Sequence, residues 1–223
     1  MATHLDFQEQ EQVEALKSAW QQYGNLVTWT LLLVLVGFAG WNGWNWWQGK
    51  QALQAAGMFE ALDAAAQSGD ADKAARVFAD LKDRYSRTTF AEQGGLLAAR
   101  VQYDKGQADA ALASLKWVAD AAADGVYRAL AHYRIAGILL DKKRYDDALK
   151  QLNSVDAPEF KALADDRRGD ALMGLGRKDE ARTAYQAAWK AMDASLDYRR
   201  IVEAKLTAMG APPAVSAVTG EVQ

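Results

Sequence analysis

Between Lys17 and Lys50 the chain carries no charged residue, and no other feature constrains its fold as strongly. Within that gap Leu26 to Trp47 is mostly apolar, with Leu31-Leu32-Leu33-Val34-Leu35-Val36 near its centre. As a helix rising about 1.5 Å per residue it reaches roughly 33 Å, enough to cross a hydrocarbon layer of roughly 30 Å. Trp20, Tyr23 and Trp29 flank one end, and Trp41, Trp44, Trp46 and Trp47 crowd the other. Indole rings favour the headgroup interface, where an apolar face meets water. The alternatives are a buried core helix, against which length and lack of charge argue, and a cleaved signal peptide. The segment before the span is acidic, and tryptophans stand where small residues would mark cleavage. Residues 25–48 are therefore expected to be an uncleaved transmembrane helix.

Charge does not orient this helix, because Lys17 and Lys50 balance across it. Gly37, Ala39, Gly40 and Gly43 put small residues along the span. They either admit a partner's transmembrane helix at close range or reflect the general abundance of glycine in membrane helices. Ahead of the span, Val13, Leu16, Trp20 and Tyr23 recur at helical spacing. Residues 1–24 are expected to form a short amphipathic segment lying at the interface of the membrane lipid before the chain turns inward.

Beyond the span the charge changes character. Of 29 Asp and Glu only Asp6, Glu9, Glu11 and Glu14 precede Lys50, and of 26 Lys and Arg only Lys17 does, so the remainder cancels. A neutral domain has no long-range field for a polyanion, which disfavours nucleic acid as the partner. Cysteine is absent, which removes disulfides, thiolate metal sites and cysteine nucleophiles.

The same region repeats itself. A glycine or its substitute, an acid, an alanine and a large apolar residue recur as Gly69, Asp72, Ala74, Phe78; Gly106, Asp109, Ala111, Leu115; Lys143, Asp146, Ala148, Leu152; and Gly176, Asp179, Ala181, Tyr185. The pattern predicts paired antiparallel helices. The first residue turns the chain with left-handed angles, the acid meets the next helix's positive end, and the alanine permits close approach. Leu62, Ala99, Ala136 and Gly169 stand at matching places on the first helices. The spacing resembles tetratricopeptide repeats. The expected fold is all-α: a single N-terminal transmembrane helix (25–48), a tetratricopeptide-like solenoid (49–210) closed by a helix from Asp197 to Met209, and a disordered tail (211–223).

Nothing in the pattern marks catalysis, a metal or a cofactor. His132 is the one histidine beyond the span, and it reads as a packing or surface residue. Asp165-Asp166 and Asp146-Asp147 read as solvated faces or helix-start acids, and Gly94-Gly95 is a weak phosphate-loop signal. Stacked pairs present their first helices along a concave surface. In this register the protein-binding candidates are Phe59, Leu96, Arg100, Tyr103, Leu130, Tyr133, Leu140, Leu163, Asp170 and Met173. Repeats that grip an acidic C-terminal tail place Lys, Asn and Arg along the groove, whereas Leu96, Arg100 and Asp104 stand at the corresponding places of the second repeat, so an apolar or mixed client is expected instead of such a tail.

Glu11-Gln12-Val13-Glu14-Ala15-Leu16-Lys17, the Trp-rich exit from the span, Arg168-Gly169-Asp170-Ala171-Leu172 and Ala181-Arg182-Thr183-Ala184-Tyr185 together resemble the YfgM family of bacterial inner-membrane proteins. That resemblance implies a cytoplasmic N-terminus and a periplasmic repeat domain. It implies the SecYEG translocon and the prolyl-isomerase-like membrane chaperone PpiD as partners, and a chaperone-like role toward unfolded client proteins bound for secretion or the outer membrane. The rival readings are a structural assembly factor for another cell-envelope complex, and an enzyme or ligand-binding protein with an unrecognised pocket.

The anchor is open to a direct check. The full chain is expected to stay with membranes through carbonate extraction, and deletion of residues 1–48 to release a helical domain into the supernatant. Sedimentation of the truncated domain with lipid would show a second membrane contact.

Overall fold

The computed structural model describes residues 7–213. Among them are nine helices: α1 (Phe7–Gln67), α2 (Ala71–Tyr85), α3 (Thr89–Asp104), α4 (Ala108–Ala121), α5 (Gly125–Asp141), α6 (Tyr145–Asn153), α7 (Pro158–Gly174), α8 (Lys178–Ala191) and α9 (Asp197–Ala208). Packing divides the chain into two units at Gln51/Ala52.

In the first unit α1 runs without the turn expected between residues 1–24 and 25–48. No proline interrupts it, and a lone Gly24 costs a helix only about 1 kcal/mol. The amphipathic segment and the span are thus one helix. Leu26, Trp29, Leu33, Phe38, Trp41 and Trp46 all stand exposed. A helix that is apolar on every side and buries none of them has the surface of a lipid-facing span, not of a core element. At its far end Trp44 and Trp47 lie 5.3 Å apart, and the Lys50 ammonium sits 5.6 Å from the Trp46 ring.

In the second unit the end of α1 packs on α2 through Leu62, Ala65, Ala74 and Phe78, α3 pairs with α4, α5 with α6, and α7 with α8, while α9 packs on α8. Each pair turns at the expected residue. Gly69, Gly106, Lys143 and Gly176 have φ of 65°, 77°, 56° and 74°. The turns share one bonding scheme. Asp70 N donates to Ala65 O, Gln107 N to Gln102 O, Arg144 N to Leu139 O and Arg177 N to Leu172 O, all at 2.8–2.9 Å. These bonds satisfy carbonyls that a helix end leaves open. Lys143 adopts at a cost a conformation that the glycines of the other three turns reach freely.

Past each turn the alanine is sealed: Ala74, Ala111, Ala148 and Ala181 are all 0% exposed. Phe78, Leu115, Leu152 and Tyr185 fill the layer beside them, and Leu62, Ala99 and Ala136 close it from the first helices. At Gly169 even a methyl group would strike the Tyr185 ring. Gly94 and Gly95 prove to be packing residues inside α3, where added carbons would meet Leu81 and Val118. No phosphate loop forms there.

The acidic pairs divide. Asp146 is exposed, and Asp147 bonds Arg144 and Lys150 at 2.8 and 3.0 Å on the surface. Asp165 and Asp166, read from sequence as a solvated face or helix-start acids, are buried in the middle of α7. Arg168 bonds Asp165. Asp166 accepts from Lys205 Nζ at 2.8 and 3.0 Å and from the Tyr198 hydroxyl at 2.7 Å. Lys205 also reaches Asp170 at 2.7 Å, as does the Tyr185 hydroxyl. Burial, and then the neighbouring carboxylates, push both tyrosines well above their ordinary pKa. This network ties α9 to α7, and Val202 and Leu206 of α9 are fully buried behind it. His132 Nδ1 lies 2.8 Å from Gln151 Oε1, a packing contact between α5 and α6. Residues 211–213 carry no helix, and the rest of the expected tail, 214–223, falls outside the described residues.

Two stability outcomes follow. Ala148→Leu overpacks a sealed helix contact and should cost about 1–3 kcal/mol, whereas exposed Asp146→Asn should cost under about 0.5 kcal/mol; thermal melts of the two variants compare them. Lys205→Met removes the main partner of a buried carboxylate and should cost about 3 kcal/mol in urea unfolding. Melting of Lys205→Met at the wild-type midpoint would show that α9 is held by apolar contact alone.

Candidate functional site

The first helices α3, α5 and α7 enclose a cleft of about 370 Å³. The repeat builds it from positions counted back from the turn residue. Six before the turn stand Arg100, Gly137 and Asp170 in successive pairs. Because Gly137 has no side chain, the Arg167 guanidinium lies over its Cα, where a methyl group would collide with it. Nine before the turn stand Arg134 and Arg167, both half-buried. Arg100, from one turn further along α3, brings a third guanidinium to the same cleft.

The two half-buried arginines are fixed by main chain. Arg134 Nη1 donates to Leu96 O at 3.1 Å, and Arg167 Nη1 donates to Tyr133 O at 3.0 Å. The Arg167 guanidinium also sits 3.9 Å from the centre of the Tyr133 ring, a cation–π contact. Tyr133 in turn stacks on Phe160 at 6.2 Å. Burial, and then the charges of Arg100 and Arg167, pull the Arg134 pKa below its ordinary value. On the rim the Tyr103 hydroxyl donates to Asp141, a bond that raises the Tyr103 pKa. Arg100 pairs with Asp104 at 3.8 Å, both largely exposed. Ala99, Leu115 and Ile138 form an apolar floor.

The sequence-derived candidates distribute unevenly over this surface. Arg100 and Tyr103 line the cleft, and Tyr133 supports it through Arg167. Leu96 does not: it is 6% exposed and belongs to the core with Ala99, Leu115 and Ile135. Its carbonyl serves the cleft while its side chain is spent on folding. Leu130 and Leu140 pack half-buried against the same core, Phe59 against the first pair and Phe90, and Leu163 against the α8–α9 core. Asp170 is engaged by Lys205 and Tyr185. Met173 stands 37% exposed beyond the cleft. In the span, nothing lies within 4 Å of the positions a methyl group would take on Gly37, Gly40 or Gly43, and Ala39 is exposed; that face is open.

Sequence reading missed Arg134 and Arg167. Their signal was present, since both fall nine residues before a turn. Most of the sequence-derived positions are apolar, as a tetratricopeptide-like groove leads one to expect, and an arginine does not stand out among them. Among the described residues no group of His, Cys, Asp and Glu is arranged to hold a metal ion.

Residues 17–211 match the family described as a tetratricopeptide repeat-like domain. Two relatives extend the likeness. One, from Neisseria gonorrhoeae, is named ancillary SecYEG translocon subunit; it is 27% identical over 94% of this chain and 100% of its own length. The other, from Escherichia coli, bears the same name and is 29% identical over 82% of this chain and 87% of its own.

Proposed function

The chain belongs to the tetratricopeptide repeat-like domain family, and from that premise we propose that it is a membrane-anchored, non-catalytic protein-binding subunit associated with the SecYEG translocon. One observation carries the reading. The likeness to a relative named ancillary SecYEG translocon subunit covers that relative from end to end, so the span and the repeats are shared together. A span whose small-residue face is open offers the translocon a helix to pack against, and a repeat domain offers a separate surface for other proteins.

The finer reading places the anchor in a bacterial inner membrane, with the N-terminus cytoplasmic and the repeats periplasmic. There the domain would receive unfolded secreted or outer-membrane clients as they emerge and work beside the membrane chaperone PpiD. Supporting this are Tyr103 and Met173, which stand exposed on the first helices α3 and α7 and offer mixed aromatic and apolar contacts.

Co-purification from native membranes in mild detergent is expected to recover translocon subunits with the full chain. Exchanging residues 25–48 for an unrelated apolar span should reduce that recovery. External protease on spheroplasts should degrade the repeats and spare the N-terminus. Absence of translocon subunits would remove the partner assignment, and protected repeats beside intact controls would remove the periplasmic one.

A further inference from the structure

We propose that the cleft on α3, α5 and α7 is a carboxylate subsite that seats one Asp or Glu side chain from an extended, otherwise apolar segment of a partner protein. The inference rests on the protein-binding reading above and names the chemistry that one pocket of that surface selects.

A guanidinium offers five N–H groups in a rigid planar fork. Arg134 and Arg167 each direct Nη1 to a main-chain carbonyl. Among the described residues neither forms an ion pair, in contrast to Arg100, Arg144, Arg168 and Arg177. Two cations are therefore held in place, close to each other and to Arg100, with donors to spare and no carboxylate bonded to either. Burial, and after it the charges of Arg100 and Arg167, lower the Arg134 pKa, so the three cations also repel one another. An arriving anion relieves that repulsion and fills the open donors.

The surroundings select which anion. Two acids already line the cleft. Asp141 is occupied by the Tyr103 hydroxyl, and Asp104 sits on the exposed rim against Arg100. Against three arginines they leave room for a single negative charge. A doubly charged phosphate group would face both of them at close range. A carboxylate carries one charge, and its two oxygens match the guanidinium fork. The apolar floor of Ala99, Leu115 and Ile138 keeps the local dielectric low and strengthens the pairing. It also accepts the methylenes of the side chain and its apolar neighbours. The favoured occupant is an internal acidic residue between apolar ones. A free chain terminus and an anionic lipid are the competing sources.

The test uses the full chain in a non-ionic detergent. The probe is a fluorescent, amide-ended heptapeptide with one Glu among Leu, Ala and Ser, alongside its Gln twin and a Gln twin with a free carboxyl end. Fluorescence polarisation is expected to show the Glu peptide binding about tenfold tighter than the amide-ended Gln peptide. Arg134→Gln with Arg167→Gln should abolish the discrimination. Asp141→Asn, which removes a competing charge while leaving an acceptor for Tyr103, should widen it, a gain that a misfolded protein cannot produce. Equal binding of the Glu and amide-ended Gln peptides, or binding of neither, overturns the subsite. So does discrimination that survives in the double variant. A free-ended Gln peptide that matches the Glu peptide assigns the cleft to chain termini instead, and displacement of the Glu peptide by mixed micelles of the detergent with phosphatidylglycerol but not with phosphatidylcholine assigns it to lipid. Wild-type chain that co-purifies with the translocon yet does not discriminate loses only the subsite. Chain that discriminates without the translocon loses only the partner assignment.

Discussion

Close approach of two helices at a single alanine is the contact from which the repeat domain is built. Ala74, Ala111, Ala148 and Ala181 have no exposed surface. Each follows a left-handed turn by five residues. The turn aims the second helix back along the first, and the alanine sets how near it comes. Any larger side chain there would separate the pair and open the layer that Phe78, Leu115, Leu152 and Tyr185 fill. Interiors packed to near-crystalline density tolerate such separation poorly. Lys143 shows which part of the motif is indispensable. The left-handed backbone is kept at φ 56° without a glycine, while the alanine is never exchanged.

A solenoid must also end. Its last pair would expose an apolar face, and α9 covers it with Val202 and Leu206. The polar cluster of Asp166, Asp170, Tyr185, Tyr198 and Lys205 accompanies that cover. Buried ion pairs of this kind add little net stability over an apolar contact, because desolvation offsets the attraction. Their effect is on placement. An apolar helix could slide along an apolar face, whereas Lys205 bonded to two carboxylates has one position.

The same stacking creates the cleft. At six residues before the turn the pairs carry Arg100, Gly137 and Asp170, a position left free to vary because packing does not require it. Gly137 makes a hollow, and Arg167 reaches across from the next pair to roof it. Variation at positions spared by the core lets one repeat architecture present different chemistry along its length. Here the chemistry is cationic in the middle, and in the last pair it turns to holding α9.

The sequence by itself determined the membrane helix, the all-α repeat and the places of its turns. Each depends on local rules: the length of an uncharged run, the backbone freedom of glycine, and the small volume of alanine at a fixed interval. Those rules act within a few residues and leave a pattern in linear order. What needed the tertiary structure was the fate of individual side chains that meet across repeats. Leu96 and Tyr103 look alike as apolar residues on one helix, yet Leu96 is core and Tyr103 is rim. Asp166 looks like a surface acid until Lys205, 39 residues away, is folded against it. Arg134 and Arg167 become a pair only when α5 and α7 lie side by side. Burial and charge pairing are sums over neighbours distant in the chain, and their positions exist only once the helices are stacked.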